Sequence, residues 1–166
     1  MKTYLYLFAL LGLFSCKKDL CKDISCQNGG TCNKSGLCEC ATGYEGLQCE
    51  IATSKKFIAN YHALYDCISA DNIVAIETKP GTDPLAVTIR NLGDYICPDG
   101  DYLITASISA DSLFIQNQQV CLTTGTPSGY TFNGFGKLKG DTLKMTYTAS
   151  YSGSQIDNCQ AILIKL

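Results

Sequence analysis

Phe57-Ile-Ala-Asn-Tyr61-His-Ala-Leu-Tyr65-Asp-Cys67 reads as one extended segment with a regular alternation. Phe57, Ala59, Tyr61, Ala63, Tyr65 and Cys67 share one face, because successive Cβ atoms of a strand point to opposite sides. A period of two predicts a strand with that face in a core. Similar short segments follow at 72–78, 85–91, 102–109, 112–116, 130–138, 142–151 and 159–166, broken by Gly, Pro, Asp and Asn. Tight turns are expected at Ala110-Asp111 and Lys139-Gly140-Asp141. Eight short strands with no convincing helix predict a mainly β fold over residues 56–166. An antiparallel eight-stranded β-barrel is the expected form, and a β-sandwich is the alternative.

The chain has 166 residues, room for one large domain or two small ones. Charged residues make up 17% and the net charge is −2, so no global field steers it to nucleic acid. Its 11 cysteines, without metal-ligand spacing, point to an oxidising compartment. Residues 4–14 form an apolar run too short to span a bilayer but suited to a signal peptide, with Lys2 as its positive start. The run ends in Leu13-Phe14-Ser15-Cys16: a branched aliphatic, a free position, a small residue, then cysteine.

That ending resembles the lipobox of bacterial lipoproteins. The resemblance implies that Cys16 becomes the first mature residue, with its sulfur carrying a diacylglyceryl group and its amine usually acylated. A plain signal peptide would instead leave Cys16 free or disulfide-bonded. Parity favours lipidation, which removes one thiol of 11 and leaves an even set. The implied location is the bacterial cell envelope, with the outer membrane expected from the family, and the implied partner is the membrane itself.

From Cys21 to Cys49 the spacing is C-x4-C-x5-C-x5-C-x-C-x8-C, with Gly29-Gly30 before the third cysteine and Gly43-Tyr44-Glu45-Gly46 before the last. Residues 21–50 resemble an EGF-like module. The resemblance implies the pairs Cys21–Cys32, Cys26–Cys38 and Cys40–Cys49. So short a segment has little apolar surface to bury, and cross-links take the place of a core. Zinc is not expected, since exported thiols oxidise and no histidine lies nearby. Calcium is not expected either: Lys17-Lys18-Asp19-Leu20 lacks the acidic pair, and Asn33 alone matches a ligand position. From Cys16 to Cys21 the chain reaches at most roughly 18 Å. The module therefore sits near the headgroups, where Lys17, Lys18 and Lys22 can meet lipid phosphates.

The expected organisation is a signal peptide at 1–15, a tether at 16–20, the EGF-like module at 21–50, a linker at 51–55 and the β-domain at 56–166. The β-domain resembles small lipocalin-like (calycin-type) domains. Asn91-Leu92-Gly93 after the third strand and Gly134-Phe135-Gly136 carry that likeness. Four cysteines allow three connectivities. Barrel closure sets the first strand beside the last and favours Cys67–Cys159, leaving Cys97–Cys121.

No cofactor, metal site or catalytic residue is expected. His62 is the only histidine and lies on the minority face of its strand, and no nucleophile elbow is present. Asp99, Asp101, Asp111 and Asp141 fall at turns, where aspartate bonds to backbone. The favoured reading is a non-enzymatic binding or adhesion protein displayed on an EGF-like stalk, with a protein or glycan partner. The alternative is a carrier of a small apolar ligand, or an enzyme inhibitor of lipocalin type. The expected binding surface is one loop end holding 80–84 and 123–129, with Thr123, Thr124, Pro127 and Ser128 as contact residues. Replacing Cys16 by alanine should leave the precursor uncleaved or release the protein from the detergent phase. Wild-type processing and partitioning of Cys16→Ala would refute the anchor.

Overall fold

The computed structural model describes residues 19–68, 73–122, 129–152 and 154–166. Near its start, β1 (Thr31–Cys32) pairs antiparallel with β2 (Cys38–Glu39), and β3 (Tyr44–Glu45) with β4 (Ile51–Ala52). Disulfides join Cys21 to Cys32, Cys26 to Cys38 and Cys40 to Cys49.

The expected linker, 51–55, carries regular structure. Ile51 and Ala52 belong to β4, and Thr53–Phe57 is a 3-10 helix leading straight into the next strand. The reason is burial: Ser54 and Phe57 leave water completely or nearly so. The Thr53 N–H donates to the Gly43 carbonyl (2.8 Å) and the Ser54 N–H to the Pro84 carbonyl (2.9 Å). Gly43 has φ +92°, and a Cβ there would lie 2.7 Å from Pro84 Cγ, so only glycine permits this approach.

Eight strands then form a closed antiparallel barrel: β5 (Asn60–Asp66), β6 (Ile73–Pro80), β7 (Ala86–Arg90), β8 (Leu103–Ser109), β9 (Ser112–Val120), β10 (Tyr130–Lys139), β11 (Thr142–Tyr151) and β12 (Ser154–Lys165). Each strand pairs with the next, and β12 returns to β5 from Gln160↔Asp66 to Lys165↔Tyr61. Closure leaves no free edge, which separates this fold from a sandwich. β5 begins at Asn60, because Phe57 lies in the helix. β9 runs past the expected 116 to Val120 through a bulge opposite Phe132–Gly134. β12 begins at Ser154, five residues before the expected 159, because β11 offers partners back to Tyr151.

Every strand sends a large side chain into the interior: Tyr61, Ile76, Ile89, Ile104, Leu113, Phe132, Tyr147 and Leu163 are all buried. Phe57 seals one mouth. Its carbonyl accepts the hydroxyls of Tyr61 (2.8 Å) and Thr78 (2.5 Å). Asn91-Leu92-Gly93 seals the other: Leu92 is fully buried, and the Tyr102 hydroxyl donates to its carbonyl. The Gly93 N–H donates to the Tyr65 hydroxyl (3.0 Å). With φ +84° at Gly93, a Cβ there would lie 2.7 Å from the Tyr147 hydroxyl. Cys67–Cys159 and Cys97–Cys121 are disulfides at this second mouth.

Burial raises the phenol pKa of Tyr61 to about 12 and holds Tyr65, Tyr102 and Tyr147 higher still. An unfolded tyrosine ionises near pH ~10. The folded state keeps these phenols neutral, so their contribution to stability is complete below that pH and declines above it. The loss is about 1.4 kcal/mol per pH unit for each such residue. Alkaline titration should give an early reversible step from exposed tyrosines. A later tyrosinate step should coincide with loss of near-UV circular dichroism. A single step near pH ~10 with the fold intact would contradict this burial.

Candidate functional site

Strand alternation that fills the interior also decides what the outer wall displays. In β10 and β11 the outward residues form cross-strand pairs: Asn133↔Thr148, Phe135↔Thr146 and Lys137↔Lys144. Phe135 is also the partner of Phe114 on β9, while Thr146 and Thr148 face Gln160 and Asn158 on β12. Phe114 and Phe135 are 43% and 54% exposed, so two phenyl rings stand in water on neighbouring strands.

The bulge in β9 turns both Gln116 and Asn117 outward. Beyond Phe114 the regular pairing of β8 with β9 stops, and a side chain takes over. The Gln118 carboxamide accepts from the Thr105 N–H (2.8 Å) and donates to the Thr105 carbonyl (2.7 Å), as a paired strand would. A shallow groove results, lined by Thr105, Ser107, Phe114, Gln116, Asn117 and Gln118. The Asn133 side-chain amide donates to the Asn117 side-chain oxygen (3.2 Å), which ties β10 to the groove. The wall thus offers hydroxyl and carboxamide donors and acceptors beside apolar rings, with lysines along one border. Such a surface can form many neutral hydrogen bonds and pack its rings on a flat apolar face.

Antiparallel order ends β6 at the mouth sealed by Phe57, and β9 at the opposite mouth. The 80–84 segment is already engaged, because Pro84 receives Ser54 and crowds Gly43. Thr123, Thr124, Pro127 and Ser128 lie outside the described residues, as does Cys16.

His62 is exposed on β5, opposite Ala75 and Ile164. Asp101 is bound by Arg90 and by the Asn91 side chain, and the Arg90 hydrogen bond, first, holds its carboxyl below the usual range. Asp111 pairs with Lys56 (3.0 Å), whose ammonium also lies 3.9 Å from Glu45. Cys67, Asp157 and Cys159 gather in metal-ligand fashion, but both sulfurs are committed to a disulfide. Asp157 accepts the Tyr95 hydroxyl at 2.6 Å.

Phe114 and Phe135 lie on strands, away from the loops where a binding surface is expected. The signal was parity: Leu113 and Ile115 mark the inward face of β9, so the aromatic between them must point outward.

Short EGF-like matches link part of the chain to much larger proteins. Protein eyes shut of Drosophila melanogaster is 51% identical over 37 residues, 22% of this chain and 2% of that protein. Netrin-G2 of Mus musculus is 46% identical over 37 residues, 21% of this chain and 6% of that protein. Versican core protein of Rattus norvegicus is 56% identical over 36 residues, 20% of this chain and 1% of that protein. The chain therefore spans only 1% to 6% of the length of these relatives. No family model matches the chain, and no solved structure does.

Proposed function

We propose that this chain is an exported, non-enzymatic binding protein of adhesion type, held to a bacterial cell envelope by lipid on Cys16. Its EGF-like module is a short stalk, and the outer wall of β8–β11 is the surface that meets a partner. Five disulfides favour an oxidising, exported setting. The EGF-like matches agree with an adhesion-type module.

One observation carries the choice between wall and interior. Side chains from all eight strands occupy the barrel, and Phe57 and Leu92 seal its mouths. A lipocalin-type carrier needs a lined cavity in that place. The two exposed phenyl rings lie on the wall instead. Their removal takes nothing from the buried core, so a variant lacking both should fold.

The test is binding of the purified chain to a printed panel of polysaccharides and glycoproteins. Phe114→Ala combined with Phe135→Ala should abolish binding to whatever the wild type retains, with an unchanged unfolding midpoint. Full binding by this double variant would refute the wall as the recognition surface. Saturable uptake of a lipophilic fluorophore by the wild type would favour a carrier.

A further inference from the structure

Three lysines border the Phe135 face. Lys137 and Lys144 are direct cross-strand partners pointing outward, and Lys139 lies two residues further along the same face of β10. Like charges placed opposite one another on a sheet are destabilising. Among the described residues no ion pair offsets them: Asp111, which lines the same recess as the three lysines, is taken by Lys56. The fold therefore holds a cationic row, unneutralised by carboxylates among the described residues, next to a ring-bearing neutral face. Lys137 is two residues from Phe135, and Lys144 two residues from Thr146.

We infer that the ligand of this wall is an acidic polysaccharide, a conclusion that rests on the wall being the recognition surface. Its sugar rings would lie along Phe135 and Phe114, with hydroxyl groups reaching Asn133, Thr146 and Thr148. Carboxylate or sulfate groups would sit over Lys137 and Lys144. The chemistry is complementary on both counts. Phenyl faces suit the apolar C–H side of a sugar ring, and amides and hydroxyls suit its hydroxyls. An anionic group between Lys137 and Lys144 turns a repulsive pair into a shared attractive one. A neutral glycan would leave that repulsion in place, and a purely anionic surface would leave the rings without a partner.

The experiment measures affinity of the full chain for polygalacturonate and heparin, for uncharged dextran, and for anionic phosphatidylglycerol vesicles. Lys137→Gln with Lys144→Gln is compared with Phe135→Ala and with wild type. The lysine double variant should keep or raise the unfolding midpoint, since it removes a like-charge pair. We expect an acidic polysaccharide to bind the wild type, more weakly as salt rises. Its affinity should fall roughly tenfold in the lysine variant and also fall in Phe135→Ala. Dextran binding as tight as that of the acidic chains, with no effect of the lysine substitutions, would overturn this inference and leave the wall as a neutral-glycan site. Vesicle binding that equals polysaccharide binding and ignores Phe135 would overturn it in favour of a plain basic patch. No binding to any polysaccharide, with the panel hits of the wild type unaffected by Phe114→Ala and Phe135→Ala, would end both the inference and the reading beneath it.

Discussion

Phe57 is the residue on which the arrangement depends. It completes the 3-10 helix that leaves β4, enters the barrel mouth and is fully buried there. Its carbonyl is held by hydroxyls from β5 and β6, so the backbone is fixed along with the ring. A buried phenylalanine side chain contributes about 3–5 kcal/mol by truncation measures. That is a large share of the roughly 5–15 kcal/mol by which a domain is stable. One contact therefore closes the core and attaches the disulfide-rich module to it.

From that attachment comes a division of labour. The disulfide-rich module has little core of its own, and its three bridges supply rigidity. The barrel has a core filled by side chains from all eight strands. Lys56, set in the connecting helix, reaches Glu45 of the module and Asp111 of the barrel, and Gly43 rests against Pro84. These contacts join the module to the barrel. On the outer wall, the alternation of β8–β11 determines which part is neutral and aromatic and which is cationic.

Much of the fold is legible in the sequence. Alternation in 57–67, 102–109 and 142–151 marked strands, because inward and outward faces differ sharply there. The cysteine-rich start and mainly β remainder were equally clear. Other features depended on tertiary context. Ile51–Phe57 looks like a spacer because its residues are mixed, and only the barrel mouth gives Ser54 and Phe57 a place to be buried. The early start of β12 follows from pairing with β11 rather than from its polar residues Ser154, Asp157 and Asn158. That β6 and β9 end at opposite mouths follows from the antiparallel meander, which local sequence does not display. The phenyl pair on the wall needed the β9–β10 register, which local sequence does not specify.

Amide relaxation by nitrogen-15 NMR tests the central claim most directly, that module and barrel tumble as one body fixed through Phe57. The account predicts a single rotational diffusion tensor for amides in 21–50 and in β5–β12, with residues 51–57 as rigid as the strands. A separate, faster correlation time for 21–50, or raised mobility at 51–57, would contradict it.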